Sequence, residues 1–129
     1  MENNLTAIAV SNARALVELI ASRPELGQVD EIAVSGHSWY PNSVAISSSD
    51  PNRASALRAW GTLLSNPRFT SFGEDRVFVR LEGSYGPMLI QVRSVWSSDA
   101  DRELIANIPL GFDLLDELAG RAALTTSAL

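Results

Sequence analysis

The chain has 129 residues, 46% hydrophobic and 19% charged, with fifteen acids against ten basic residues for a net charge of −5. That size and composition fit one globular domain able to bury roughly two-thirds of its unfolded surface, and neither disorder nor a fibre. There is no Cys, no Lys and a single His. These gaps exclude disulfides, thiolate chemistry, a lysine Schiff base, a P-loop lysine and any two-histidine metal site.

The start, Met1-Glu2-Asn3-Asn4, is acidic where a signal peptide would be basic. No unbroken run of about 18 apolar residues follows, so a cytoplasmic protein away from membranes is expected. Leu5, Ile8, Ala9, Ala13, Leu16, Leu19 and Ile20 have helical spacing. Asn3 or Asn4 offers a cap, and Pro24 forces Arg23 out of the helical region, giving a helix over 5–22. Two alternating runs come next, 31–35 and 44–47, joined by the loop Gly36-His37-Ser38-Trp39-Tyr40-Pro41-Asn42.

Asp50-Pro51 reads as an N-cap carboxylate with proline at the first helical position. Ala54, Leu57, Trp60 or Gly61, and Leu64 make the buried stripe of a helix over 51–65, which Asn66-Pro67 ends. Phe69 to Phe72 add a short strand before the hairpin that follows. Val77, Val79 and Leu81 alternate with polar or aromatic residues, as do Met88, Ile90 and Val92. To share a face, opposed residues must sum to an odd number. A sum of 169 pairs 81 with 88, 79 with 90 and 77 with 92, leaving a four-residue loop at 83–86. Ser98 and Asp101 form a capping box that starts a short helix to about 106. Phe112, Leu115, Leu118, Ala119 and Ala122 then give a last helix to about 124. Residues 1–124 are expected as one domain and 125–129 as a loose tail.

The segment Leu19 to Leu26 echoes Thr62 to Phe69, each copy ending a helix before a hairpin. The fold class expected is therefore α+β. It has a four- to five-stranded antiparallel sheet, two helices packed on one face as an αββ-αββ duplication, and a C-terminal helical extension.

Three motifs invite a chemical reading. Gly36-His37-Ser38-Trp39-Tyr40 approaches the G-x-S-x-G nucleophile elbow. The final glycine is missing, Pro41 blocks the helix that should follow, and the one histidine sits inside the motif. Asp99-Ala100-Asp101 opens like a calcium loop, but Leu104 and Leu110 occupy the positions that need Gly and Glu. Gly83-Ser84-Tyr85-Gly86 has the spacing of a backbone-clamping loop, yet joins two strands rather than two helices. No catalytic residue, metal site or cofactor is expected, and no enzyme activity.

Two surfaces remain. His37, Trp39 and Tyr40 form a candidate ligand loop, unless Trp39 folds back onto the sheet edge. The derived register also pairs Arg80 with Leu89, Phe78 with Gln91, and Arg76 with Arg93 on the second face of the hairpin. Those six residues are a candidate protein interface, unless the C-terminal helix covers them. The acidic balance disfavours a general nucleic-acid binder.

The residues Ser22-Arg23-Pro24-Glu25-Leu26, Asp50-Pro51, Ala56-Leu57-Arg58-Ala59-Trp60 and Val95-Trp96 resemble, in this order, a loose group of small actinobacterial and actinophage proteins without an assigned activity. The resemblance covers about 16–96. It implies an accessory protein of a phage, a mobile element or its host, and brings no functional residues. The leading expectation is a non-enzymatic protein-binding accessory module, with a protein partner that includes a second copy in a homodimer. A small-ligand binder using the 36–42 loop, and a nucleic-acid-associated or inhibitor protein, are the alternatives.

Overall fold

Five strands and four helices follow in the order α1 (Leu5–Ser22), β1 (Val29–Ala33), β2 (Asn42–Ile46), α2 (Arg53–Leu63), β3 (Ser65–Phe72), β4 (Val77–Tyr85), β5 (Met88–Trp96), α3 (Asp99–Asn107) and α4 (Phe112–Ser127). A 3₁₀ turn, Pro24–Leu26, separates α1 from β1. The structure is a computed structural model that describes residues 4–127. The strands make one sheet in the order β1-β2-β5-β4-β3. All neighbours are antiparallel except β2 and β5, which run parallel. The class is α+β, but the two-hairpin duplication does not hold. The second half has three strands, and its last one inserts beside β2. A parallel neighbour needs a long crossover, which α2 and the β3–β4 hairpin supply.

Strict alternation makes the core. Val44 and Ile46 on β2, Val79 and Leu81 on β4, and Met88, Ile90, Val92 and Trp96 on β5 are all buried on one face. Trp60 of α2 is fully buried against them and donates its indole N–H to Leu26 O at 3.1 Å. That bond satisfies the one polar atom of the largest core side chain. Leu114, Leu115 and Leu118 of α4 belong to the same cluster and pack on α2. Asp50 does not cap α2; the N-cap is Asn52. Asp50 is itself buried, and its two carboxylate oxygens accept from Asn52 N and Gln28 N, each at 2.9 Å. It thereby ties the start of α2 to the residue before β1.

The β4–β5 pairing sums to 173 rather than 169: Val77 opposes Trp96, Val79 opposes Ser94 and Gly83 opposes Ile90. The parity is kept, so the aliphatic residues do share a face. The error lies in the loop. Gly83 is a strand residue, and a Cβ there would come within 2.9 Å of Leu64 Cβ and Ser65 O. It is glycine for close approach, not for turning. The turn is Gly86-Pro87, with Gly86 at φ 58°, which suits a two-residue hairpin with glycine first.

Other boundaries move less. α2 ends at Leu63, and Asn66 takes φ 52° inside the start of β3, so Asn66-Pro67 marks a strand irregularity rather than a helix stop. Ser98 Oγ caps α3 by accepting from Asp101 N. α4 runs on to Ser127, through residues expected as tail, while 128–129 lie outside the described residues. In α1 only Leu16 and Leu19 are buried, and Ile8, expected in the core, is 43% exposed. α1 is also the one described helix long and apolar enough to cross a membrane, by length and composition alone.

Candidate functional site

The sheet has two unlike faces. α2 and α4 lie on the aliphatic one, so α4 does not cover the other. On the open face the residues line up in rows across the strands. One row reads Glu31, Ala45, Arg93, Arg80, Thr70 from β1 to β3, and its neighbour reads Ala33, Ser43, Gln91, Glu82, Arg68. Phe78 opposes Phe72 on β3 and Val95 on β5.

The structure spreads the six predicted interface residues along the open side of the β4–β5 hairpin, with Leu89 near the turn and Arg76 and Phe78 at the far end, and changes their partners. Arg80 opposes Arg93, not Leu89. Phe78 opposes Val95, not Gln91. Leu89 faces Ser84, Gln91 faces Glu82, and Arg76 lies beyond the paired residues. The shift of four in the register sum moves each β5 partner by four residues, an even number, and so leaves its face unchanged.

The contacts explain how like charges are tolerated. Arg93 reaches Glu31 across β2 at 3.4 Å, and Arg68 reaches Glu82 at 2.9 Å. Arg80 donates to Thr70 Oγ1 at 3.2 Å and lies 5.6 Å from the Phe72 ring centre. Arg76 lies 5.7 Å from the Phe78 ring centre. The two phenylalanine rings stack, 5.0 Å apart and 10° from parallel. The result is a cluster of two stacked rings flanked by two guanidinium groups. Among the described residues neither Arg76 nor Arg80 has a carboxylate partner. Beside it, Asp30, Arg76, Phe78, Arg93 and Val95 help line a small hollow of about 140 Å³. Asp30 and Glu31 thus stand toward β1, Glu82 of β4 is taken up by Arg68, and Arg76 and Arg80, without a carboxylate partner among the described residues, stand toward β4. Phe72 was not singled out from the sequence, because only the β3 pairing brings it to Phe78.

The second candidate is the β1–β2 loop. Trp39 does not fold back on the sheet edge: it is 72% exposed, and Tyr40 is 55% exposed. His37 lies 5.0 Å from Trp39, and Tyr40 meets Trp39 edge-on at 5.8 Å. The base of the loop is rigid. Asn42 is buried, accepts from Ser35 N at 2.8 Å and donates to Leu89 O at 3.1 Å. Gly36 packs so closely on α1 that a Cβ would lie 2.2 Å from Leu5 O.

A third cleft, about 280 Å³, lies between the starts of α2 and α3 and is lined by Arg53, Trp96, Ser98 and Asp101 among others. Arg53 sits over Trp96 and donates to Val95 O at 2.8 Å. Desolvation lowers its pKa from the ordinary value, against the opposing pull of Asp101 and Asp50. Its hydrogen bonds go to backbone that it tethers, which is a structural role. No group of three or more metal-ligating side chains occurs among the described residues. No family model matches the chain, and no curated protein or solved structure is significantly similar to it.

Proposed function

We propose that the chain is a small protein-binding accessory module without catalytic activity, working in the cytoplasm, of the kind its resemblance to small actinobacterial and actinophage proteins implies. Its open sheet face is the binding surface, and its partner there is a second copy. The observation that carries this reading is the division of charge on that face. Asp30 and Glu31 stand on β1, and Arg76 and Arg80 stand on or beside β4 with no carboxylate partner among the described residues.

A two-fold axis lying between two such faces, along the central strand β5, lays β1 of one copy over β3 and β4 of the other. Acids then meet unpaired arginines twice, as an isologous interface requires. The Phe72–Phe78 stack and Val95 supply apolar area within a polar surround. Arg93, nearest the axis, carries its own counter-ion in Glu31. A nucleic-acid role is less well served. The phenylalanine faces on which bases would stack are already engaged by one another and by arginine.

Light scattering after size-exclusion chromatography tests the proposal. The wild type is expected as a dimer and Phe78→Glu as a monomer. Charge reversal gives a sharper test: Glu31→Arg and Arg80→Glu each weaken the dimer, and the double variant restores it. A monomeric wild type, or a dimer indifferent to all four variants, overturns the reading.

A second reading rests on Trp39. Its exposure, with His37 and Tyr40 beside it, suits a loop that contacts a small ligand. Trp60 and Trp96 are buried, so quenchable tryptophan fluorescence reports on Trp39. A metabolite panel that leaves this signal unchanged removes the second reading.

A further inference from the structure

The two edges of the sheet are protected unequally. β3 carries Pro67, the positive-φ Asn66 and a register shift near its start, and these devices blunt an edge against new strands. Its Phe69 ring packs edge-on against Phe112 of α4, 5.6 Å away. β1 has no proline, and four of its five residues are exposed. Its one irregularity lies between Val29 and Glu31, after which Glu31, Ile32 and Ala33 pair with β2 in unbroken register. Its outer side therefore offers the backbone groups of an edge strand, with Ile32 37% and Val34 38% exposed along it.

A groove runs beside this edge. Val17, Ile20 and Ala21 of α1 form one wall and Val29–Ile32 of β1 the other, around about 420 Å³. Val17 is 55% exposed there. Leu5, Ala9, Asn12, Leu16 and Leu19 make one helical stripe at spacings of four and three. From this stripe Leu16 and Leu19 enter the core, and Asn12 donates to Ser35 O at 2.9 Å. The adjacent stripe, Thr6, Val10, Ala13, Val17 and Ile20, repeats the same spacing one residue on. Val10 in it is 46% exposed. A helix that shows a second apolar stripe beside a free strand edge has the parts of a strand-addition site. Backbone pairing supplies affinity there, and alternate side chains enter the groove.

Charge decides the occupant. The strand reads Val29-Asp30-Glu31-Ile32-Ala33. A second β1 added antiparallel about its centre would set carboxylate against carboxylate, which disfavours the pairing. Glu31 shares Arg93 at 3.4 Å yet keeps a side chain 65% exposed, and no ion pair is made by Asp30 among the described residues.

We propose that the free edge of β1, together with the α1 groove, binds an extended segment of another protein as a sixth strand. Its apolar side chains point into the groove and alternate with Lys or Arg facing Asp30 and Glu31. This site lies at the helix side of β1; it shares Asp30 and Glu31 with the proposed dimer face but uses none of that face's residues on β4 and β5.

A random-peptide display library selected on the immobilised full-length chain tests it. Enriched sequences are expected to alternate apolar and basic residues. The strongest, made synthetically and titrated by calorimetry, should lose about tenfold or more in affinity on Val17→Glu and on Asp30→Lys. Methylating its backbone nitrogens along one edge should cost as much again, since a strand binds through them. Circular dichroism checks that each variant folds. Phe78→Glu, which removes the dimer contact but no part of the groove, should leave the affinity undiminished, which separates this site from the dimer face. Failure to enrich any sequence, enrichment of acidic sequences, or binding indifferent to Val17→Glu overturns the proposal.

Discussion

The same three central strands present two surfaces that obey different rules. On one face β4 and β5 alternate Val79, Leu81, Ile90 and Val92, which are buried almost completely. On the other, two residues away at most, stand Phe78, Arg80, Gln91 and Arg93, half-buried and held by pairs across strands. The first face is stabilised by area and packing, and is insensitive to which aliphatic opposes which. The second depends on register, because only the correct pairing brings Phe72 to Phe78 and Glu31 to Arg93. Substitutions should therefore cost much in stability on the first face and little on the second, where association changes instead.

The largest effect is expected from Trp60→Ala. It removes a fully buried indole and its bond to Leu26 O, for a loss of about 3–5 kcal/mol in chemical denaturation. Asp50→Ala comes next. Two backbone N–H groups lose their acceptor at a site 4% exposed, and the cost should be about 1–3 kcal/mol. Gly83→Ala adds a methyl 2.9 Å from Leu64 Cβ and from the Ser65 carbonyl oxygen. Overpacking should cost about 1–3 kcal/mol. An unchanged midpoint for Gly83→Ala would mean that β3 gives way easily at its bulge, and would weaken the contrast between the faces.

Much of the buried face was legible in the sequence. Period-two alternation names Val79, Leu81, Ile90 and Val92, and helical spacing names Ala54, Leu57, Trp60 and Leu64, all of which are buried. The odd register sum needs only parity, so it survived a wrong loop. What stayed hidden depends on pairing between distant segments. A glycine required by approach to Leu64 looks the same in sequence as one required by a turn. The insertion of β5 beside β2 leaves no local trace either, since both strands read as ordinary alternating runs. On the candidate surface, residue types singled out Arg76, Phe78 and Arg80 but could not supply Phe72 from β3. Residue type alone could not decide whether Trp39 packs or projects, because burial is the usual fate of a large ring. Here the loop base is fixed by Asn42 and Gly36, which leaves the tip free to project.

The smallest predicted effect is the most discriminating for the open face. Arg80 lies over Phe72, which is 47% exposed. A cation–π contact at such a site is worth about 0.5–1 kcal/mol. A double-mutant cycle with Arg80→Met and Phe72→Leu removes charge and ring separately while keeping comparable bulk. Measured in the Phe78→Glu background, the coupling should fall toward zero, because the Phe78 ring no longer backs Phe72 and its replacement draws Arg80 away. Measured with Phe78 intact, it should lie within that range. A coupling equal in both backgrounds would mean that the rings and guanidinium groups are neighbours without being a unit. The face would then present scattered side chains rather than a preformed surface, and the entropy of ordering them would count against association.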